Sequence, residues 1–351
     1  MAKFLRLALI LSLTTLTSLA SAGEQTISYF SGVPGQKVYF ASDLGQWDAT
    51  RYPMPEVAPG QYDFKFEEPW LPFIRYKFVA DGHWKTDPNN PQQQKDGLGG
   101  YNSVWAFPDF QEDPLLNRQA GVIPHLQKTF TVTDWEGAKR TLTLLLPPAS
   151  TSKMKRSIKS RFYAYFQDGG DYLEKGAIAN LVANLSAQPD MPMIVAVLIP
   201  PKDRTREYTL NEDYARFIAT SLVPEVEQKL GASVSRTQRV LVGPSLGGLI
   251  SFFTVLKYPE VFGNVVTQSG SFWWDEGRIA TMLAAMTSVT TFRAFNSVGF
   301  YETLPMNEFN DKVAQESKRL GIQMTYRKPP GLHNWITWRN ELSGVLRAVA
   351  R

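Results

Sequence analysis

Hydrophobic and polar positions follow different patterns in the two halves of the chain. Over residues 26–107, short alternating runs are separated by clusters of Pro, Gly and Asn, and no helical period is present. Alternation with a period of two is typical of strands that bury one face. The predicted strands are residues 37–40, 61–66, 74–79 and 103–107. This half is therefore predicted to be a small all-β, sandwich-like unit.

From about residue 125 onward, apolar and β-branched runs alternate with segments of helical spacing. That order predicts an α/β fold, in which a mostly parallel, doubly wound sheet carries helices on both faces. The predicted strands are residues 129–132, 141–145, 161–166, 193–199, 240–242, 264–268 and 291–297, and the clearest helices are residues 214–230 and 307–320. Residues 108–124, between the two halves, are predicted to be a linker.

The first 22 residues have the pattern of a signal peptide. Lys3 and Arg6 precede an apolar stretch that ends in Ala20-Ser21-Ala22, an A-x-A cleavage site. A membrane span is the alternative, but Ser and Thr interrupt the stretch, and a span needs about 20 largely apolar residues. We expect cleavage after Ala22 and a periplasmic or secreted protein. The mature chain would then hold an all-β unit at residues 23–107 and an α/β unit at residues 125–351, with no membrane span.

Composition narrows the function further. The 351 residues contain no Cys, which excludes a disulfide and a thiolate metal site. The formal charge is +4 at pH 7, and removal of Lys3 and Arg6 with the signal leaves about +2. So small a charge argues against nucleic acid as a partner. We expect neither a metal nor a cofactor.

The most informative motif is Gly243-Pro244-Ser245-Leu246-Gly247. It follows the apolar run of residues 240–242 and precedes a segment of helical spacing at residues 249–258. In G-x-S-x-G the serine occupies a strained strand-to-helix turn, and the glycines tolerate backbone crowding that no Cβ could share. The motif predicts a nucleophile elbow with Ser245 as the catalytic nucleophile. An ordinary Gly-rich turn is the alternative.

A serine nucleophile needs a base, and the base needs an orienting carboxylate. His83 lies in the all-β half and His125 at the end of the linker, so His333 is the predicted base. The acid is expected between Ser245 and His333 in chain order. Glu302 fits best because it follows the predicted strand at residues 291–297. The competing carboxylates are Asp275, Glu276, Glu308 and Asp311.

An oxyanion hole requires two backbone N–H groups that point at the developing negative charge. One is predicted to be that of Leu246, directly after the nucleophile. The second is predicted to be that of Gly170, with Gly169 as its neighbour, because this glycine pair follows the strand at residues 161–166. The alternative is that the pair only forms a tight turn.

Several segments of the α/β half resemble bacterial enterochelin (ferric enterobactin) esterases, within the wider esterase-D-like α/β hydrolases. They are residues 204–207 (RTRE), 243–248 (GPSLGG), 268–274 (QSGSFWW) and 333–335 (HNW), and the likeness spans residues 130–346. In the broader group the acid sits three residues after a glycine, as Glu302 does after Gly299. The resemblance also implies that Arg204 and Glu207 line the mouth of the active site, where a surface ion pair is the alternative.

A ferric tris-catecholate is a bulky aromatic trianion, so its pocket is expected to offer aromatic faces and cations. The candidates are Trp273, Trp274 and Trp335 with Arg204 and Arg206. The alternative is that the paired tryptophans are core residues. Secreted feruloyl and acetyl-xylan esterases share the fold, and enterochelin esterases with such an N-terminal unit are typically cytoplasmic, whereas this chain has an export signal.

The all-β half resembles the early-set, immunoglobulin-like glycogen-binding module of starch- and glycogen-active proteins. The sugar-contacting positions of that module fall on Trp47, Lys77, Trp84, Leu98 and Asn102. Aromatic faces stack on sugar rings, while Lys and Asn bond sugar hydroxyls. The resemblance implies a polysaccharide partner, although the same fold also serves as a packing domain.

Three functions follow. The favoured one is an exported serine esterase that forms an acyl-enzyme and acts on a small-molecule ester of the catecholate siderophore class. The second is a carbohydrate esterase guided by the N-terminal module. The third is a carbohydrate-binding protein without catalysis.

Overall fold

The computed structural model describes residues 24–67, 71–96, 98–108, 110–148 and 161–350. The predicted signal peptide, residues 1–22, lies outside this part of the chain. The all-β half contains two small sheets, and the second half contains one large mixed sheet flanked by helices.

Among the described residues, the two small sheets are built from eight short strands. Three form a sheet in the order β1-β4-β3, and five form a sheet in the order β2-β5-β8-β7, with β6 paired to β5. The strands are β1 (Glu24–Phe30), β2 (Val38–Ser42), β3 (Glu56–Ala58), β4 (Gln61–Glu67), β5 (Phe73–Ala80), β6 (His83–Lys85), β7 (Gln93–Lys95) and β8 (Tyr101–Ala106).

The inward side chains of both small sheets meet in one hydrophobic cluster, which makes the pair a sandwich. On β5, Ile74, Tyr76 and Phe78 point into it, while the alternate residues Arg75 and Lys77 are only partly buried. We call this group the module cluster. Its members are Ile27, Tyr29, Val38, Phe40, Met54, Tyr62, Phe64, Leu71, Ile74, Tyr76, Phe78, Ala80 and Phe107.

The second half contains an eight-stranded sheet in the order β16-β15-β14-β13-β11-β12-β10-β9. β9 and β10 are antiparallel to their neighbours, and the other six strands are parallel to one another. The strands are β9 (Leu126–Thr133), β10 (Lys139–Leu146), β11 (Arg161–Gln167), β12 (Met193–Ile199), β13 (Arg239–Pro244), β14 (Asn264–Gln268), β15 (Arg293–Ser297) and β16 (Gln323–Arg327).

Helices cover both faces of this sheet, as predicted. One face packs on α1 (Gly169–Glu174), α2 (Ile178–Ala187) and α9 (Trp335–Ala350). The other face packs on α3 (Arg204–Tyr208), α4 (Glu212–Phe217), α5 (Val223–Lys229), α6 (Leu246–Lys257), α7 (Trp274–Ala285) and α8 (Leu304–Arg319). Alternate side chains of β11 pack on opposite faces of the sheet: Tyr163 and Tyr165 pack on one face, and Phe162 and Phe166 on the other. The α/β-hydrolase fold preceded by a β-sandwich is thereby confirmed.

Two local features differ from the predicted pattern. The helix predicted at residues 214–230 is divided into α4 and α5 by a π-helical turn at Ile218–Leu222. Part of the predicted linker is anchored: Leu116 is buried, and the Asp113 amide donates to Asn340 Oδ1 on α9 at 2.7 Å. This stretch therefore packs on the α/β half instead of running free.

The parallel strands β13, β14, β15 and β16 end at one common edge of the sheet. The segments that contain the candidate catalytic residues follow these strand ends. Pro244 lies opposite Gln268, Gln268 opposite Ser297, and Ser297 opposite Arg327. Because these are the carboxyl ends of four adjacent strands, the segments that leave them converge at one edge of the sheet.

Candidate active site

The turn after β13 has the geometry of a strained elbow. Ser245 has φ 56° and ψ −126°, a backbone conformation that residues with a side chain rarely adopt. The strain is held locally, because the Ser245 amide donates to the Gln268 carbonyl at 2.8 Å. A Cβ added at Gly243 would lie 2.2 Å from the Gly247 carbonyl oxygen. The motif glycines are thus required by the close approach of the strand end to the first turn of α6.

The structure brings Ser245, His333 and Glu302 together in a hydrogen-bonded chain. His333 Nε2 lies 2.9 Å from Ser245 Oγ, and His333 Nδ1 lies 2.8 Å from Glu302 Oε2. The histidine side chain is 38% exposed, whereas the glutamate side chain is only 1% exposed. A buried carboxylate on Nδ1 leaves Nε2 as the ring nitrogen that faces the serine. This arrangement is capable of accepting the serine proton as Oγ attacks an electrophile.

Two donors fix the second oxygen of Glu302. Oε1 accepts hydrogen bonds from Ser269 Oγ at 2.5 Å and from the Gly299 amide at 2.9 Å. Trp338 Nε1 in turn donates to Ser269 Oγ at 2.9 Å. Since an indole N–H only donates, the Ser269 hydroxyl proton is directed to the carboxylate. Ser269 and Trp338 thus orient Glu302, and Oε2 is left for His333.

The sequence places Ser269 in the segment 268–274 but predicts no role for it or for Trp338. Chain spacing carries no signal that would join them, because the two residues are 69 positions apart. Ser271 is a further unpredicted neighbour: its Oγ lies 3.2 Å from Ser245 Oγ, and its amide donates to the Ser245 carbonyl at 3.0 Å. The loop after β14 therefore contacts both the acid and the nucleophile.

The residues predicted for the oxyanion hole lie at the starts of two helices. Leu246 is the first residue of α6, and Gly169 and Gly170 are the first two residues of α1. Gly169 is buried with no room for a Cβ, whereas Gly170 is exposed. Amides in the first turn of a helix have no intrahelical acceptor, so they are available to bind a negative oxygen.

Arg204 and Glu207 occupy different environments, although both lie on α3. Arg204 Nε and Nη2 donate to the two oxygens of Asp168, directly before Gly169, at 2.8 and 2.9 Å. Burial raises the pKa of Asp168, and the Arg204 guanidinium opposes that rise. The Arg204 side chain remains 38% exposed beside the α1 turn.

Glu207 is a buried structural residue in this fold. It is 3% exposed, and its oxygens accept hydrogen bonds from Arg140 Nη1 and Nη2 at 3.0 and 2.5 Å. The position at the active-site mouth implied by the family resemblance is therefore not available to Glu207. Arg206 is paired with Glu136 on the exposed surface.

The three candidate tryptophans are not equivalent. Trp273 is 40% exposed and lies 5.8 Å, centroid to centroid, from the partly buried Trp274. Trp273 follows Ser271, whose hydroxyl contacts Ser245, by two residues, whereas Trp274 packs against the core of the α/β half. Trp335 is partly buried and packs edge-on against Tyr172 and Trp338 at 5.0 and 5.3 Å. Its surroundings are those of a packing residue.

The five candidate sugar residues are only partly accessible. Trp84 and Leu98 are 46% and 93% exposed, but Asn102 is 5% exposed. The Lys77 ammonium donates to Asp96 Oδ2 at 2.7 Å, and this bond lowers the pKa of Asp96 to about 2. Trp47 donates from Nε1 to Asp43 and carries the Arg75 guanidinium 5.8 Å from its ring. Of the five, Trp84 and Leu98 are therefore the ones with exposed side chains.

The remaining titratable candidates lie elsewhere. His125 Nε2 contacts the Ile194 carbonyl at 2.8 Å, and burial lowers the pKa of its imidazole. Of the competing acids, Asp311 bonds to Tyr326 and Lys328 on the surface. Within the described residues, no group of three or more His, Asp or Glu side chains has the spacing of a metal site. Nor does any described helix have the length and apolarity needed to cross a membrane.

Residues 136–349 match the model of the Esterase family. The chain belongs to that family. One relative is the iron(III) enterobactin esterase of Escherichia coli O6:H1, 26% identical over 268 residues that cover 73% of this chain. The match spans 65% of that relative's length.

Solved structures with the same fold include two kinds of esterase. The enterobactin esterase of Shigella flexneri, crystallised in the presence of enterobactin, has a TM-score of 0.78 and 21% identity, with 93% of this chain and 92% of that chain covered. A ferulic acid esterase has a TM-score of 0.54 and 18% identity, covering 64% of this chain and 98% of the other. At 93% of the chain the first likeness extends over both halves, whereas the second, at 64%, covers a length similar to that of the α/β half. These solved structures share the fold of this chain. The reaction has to be inferred from the geometry of the site.

Proposed function

We propose that the protein is a serine esterase that works through an acyl-enzyme, with Ser245 as nucleophile, His333 as general base and acid, and Glu302 as the orienting carboxylate. The observation that carries the proposal is the unbroken chain of hydrogen bonds from Ser245 Oγ through His333 to Glu302. Chain order and fold agree with it, since α/β hydrolases present these three groups in this order.

The reaction follows from the positions of these groups. Ser245 Oγ attacks the ester carbonyl while His333 Nε2 accepts its proton, and Glu302 stabilises the resulting imidazolium. The amides of Leu246 and Gly170 bind the oxyanion. Collapse expels the alcohol, which takes the proton from His333. Water then attacks the acyl-enzyme with His333 as base, and the carboxylic acid and free Ser245 are regenerated.

For the substrate we propose a catecholate ester of the enterobactin type, because Trp273 is 40% exposed on the loop whose Ser271 contacts Ser245. Arg204, paired with Asp168 but 38% exposed, offers a cation close to the start of α1. The names of the relatives point the same way. A feruloyl or acetyl-xylan ester is the second candidate. It is favoured by the fold of the ferulic acid esterase and by the exposed Trp84 and Leu98 on the β-sandwich.

The biological setting belongs to the same proposal. Residues 1–22 would direct export to the periplasm or outside the cell, residues 23–107 and 125–351 would be the two folded units, and residues 108–124 would join them. Polysaccharide binding at Trp47, Lys77, Trp84, Leu98 and Asn102 is proposed only with the carbohydrate-esterase alternative, because Lys77 and Asn102 are already engaged or buried.

The test compares purified mature chain and its Ser245→Ala variant on p-nitrophenyl butyrate. We expect the variant to lose several orders of magnitude in kcat, up to about 10⁶-fold. Ser317→Ala, a fully buried serine on α8, is the matched control and is expected to keep the wild-type rate. Equal rates in wild type and Ser245→Ala would overturn the serine mechanism.

A second assay assigns the substrate. The chain is incubated with enterobactin, its ferric complex, methyl ferulate and acetylated xylan, and the products are separated by chromatography. Release of dihydroxybenzoylserine oligomers supports the catecholate assignment. Rapid release of ferulate or acetate, with the trilactone intact, would establish the carbohydrate-esterase alternative.

A further inference from the structure

The residues directly before the candidate acid and base point away from the α/β half. Tyr301 precedes Glu302 and Leu332 precedes His333, and both side chains are partly buried against the module cluster of the β-sandwich. In each of these two loops, the candidate catalytic residue is part of the hydrogen-bonded chain to Ser245. The residue directly before it packs on the β-sandwich.

The two loops are also bonded to one another. The Phe300 amide donates to the Pro329 carbonyl at 2.9 Å, and the Tyr301 amide donates to the Gly331 carbonyl at 3.1 Å. A Cβ on Gly299 would lie 2.5 Å from the Gly331 carbonyl oxygen, so the backbones of the two loops are in close contact. A displacement of one loop would accordingly move the other.

A second contact lies at the start of α9. Ile336 forms a small buried cluster with Phe73 and Val104 of the β-sandwich. Asn334, the residue after His333, caps this helix, with Oδ1 accepting from the amides of Ile336 and Thr337 at 3.0 and 3.1 Å. The segment that carries His333 is thus flanked on both sides by contacts with the β-sandwich.

From these contacts we infer that the β-sandwich is a positioning element of the active site, acting through Tyr301 and Leu332 on Glu302 and His333. The inference rests on the proposed function, because it assumes that these two residues are catalytic. Its physical basis is that proton transfer demands short, aligned hydrogen bonds between Ser245, His333 and Glu302. The β-sandwich packs against the two loops that hold His333 and Glu302 in place. The β-sandwich consequently positions the catalytic loops through these two side chains and is not only an appended module.

The test is a double substitution that removes both contacts, Tyr301→Ala with Leu332→Ala. We expect kcat on p-nitrophenyl butyrate to fall by about 10- to 100-fold, the size expected for a misplacement of about 1 Å, with KM unchanged. The rate at which a fluorophosphonate labels Ser245 is expected to fall in parallel. The rescue variant Tyr301→Phe with Leu332→Met keeps the apolar contact and is expected to restore both rates.

The matched control is Leu44→Ala with Tyr52→Ala. These two side chains are also partly buried against the module cluster, but they belong to the β-sandwich itself: the Tyr52 hydroxyl donates to the Leu44 carbonyl at 3.3 Å, and the Tyr52 ring lies 5.4 Å from that of Phe64. We expect this control to lose thermal stability like the test variant and to keep the wild-type kcat. A wild-type kcat in the folded test variant, or an equal loss in the control, would overturn the inference.

Three further outcomes distinguish a failure of this inference from a failure of the proposed function. If the double variant does not fold, Leu332→Ala alone is assayed against Leu44→Ala, and an unchanged kcat again overturns the inference. If wild type and Ser245→Ala have equal activity, the proposed function itself fails and this inference fails with it. Loss of activity in Ser245→Ala with an unaffected Tyr301→Ala, Leu332→Ala variant contradicts the positioning role alone.

Discussion

Ser269→Ala tests how Glu302 is held. The substitution removes one of the two donors on Glu302 Oε1 and leaves the Gly299 amide as the other. It also removes the acceptor of the buried Trp338 indole N–H. A hydrogen bond to a charged group contributes about 1.5–3 kcal/mol, which corresponds to about 10- to 100-fold in rate if the whole contribution is lost in the transition state.

The assay is kcat/KM on p-nitrophenyl butyrate, with thermal unfolding as the check on folding. We expect a loss of about 10- to 100-fold, smaller than the loss of about 10⁴-fold expected when the triad carboxylate itself is neutralised. Trp338→Phe keeps the aromatic packing but frees the Ser269 hydroxyl to rotate. Its loss in kcat/KM is therefore expected to be smaller than that of Ser269→Ala. Ser317→Ala is the control, since that hydroxyl is buried and has no partner among the described residues.

A double-mutant cycle isolates the effect. If Ser269 acts through Glu302, Ser269→Ala should cost little more once Glu302→Gln is present, because coupled residues are non-additive. A folded Ser269→Ala variant with wild-type kcat/KM would refute the reasoning. Full additivity of the two substitutions would refute it equally.

Three other substitutions follow from the same geometry. Glu302→Gln should lower kcat by about 10⁴-fold because it disturbs the imidazole tautomer, whereas Glu308→Gln on the exposed side of α8 should retain the wild-type rate in the same assay. Glu207→Gln should cost about 3 kcal/mol in denaturant unfolding, because the buried Arg140 loses its closest carboxylate and keeps the Pro200 carbonyl at 2.9 Å and Asp134 at 3.8 Å. KM for an aromatic ester is expected to stay unchanged; a raised KM with unchanged stability would restore Glu207 as a substrate contact. Burial lowers the pKa of His125, so the unfolded state binds the extra proton and stability should fall as the pH drops below about 6.5. His125→Gln should lessen that fall in pH-dependent melting, and an unchanged slope would contradict the assignment.

The parts of the site that sequence could predict are local or ordered along the chain. Gly243, Ser245 and Gly247 are adjacent in sequence, and the strained turn dictates their identity. Strand and helix alternation predicted the sheet, and chain order then selected Glu302 and His333. In each case, the residue types that the structure requires lie within one strand or helix and the turn that follows it.

What sequence could not predict depends on contacts between distant segments. Arg140 and Glu207 are 67 positions apart, and nothing local distinguishes a buried ion pair from a surface one. The same holds for Ser269 and Trp338. Likewise, the packing of Tyr301 and Leu332 on the β-sandwich requires the two halves to be placed against each other, which no period in either half encodes.

The most direct test of the account is covalent labelling of the nucleophile. The mature chain is treated with a fluorophosphonate, digested, and analysed by mass spectrometry, beside His333→Ala and Ser317→Ala. The account predicts a single adduct on Ser245, formed at the wild-type rate in Ser317→Ala and strongly slowed in His333→Ala. An unlabelled Ser245, a main adduct on another serine, or a rate that does not depend on His333 would contradict the assignment of Ser245 as a nucleophile activated by His333.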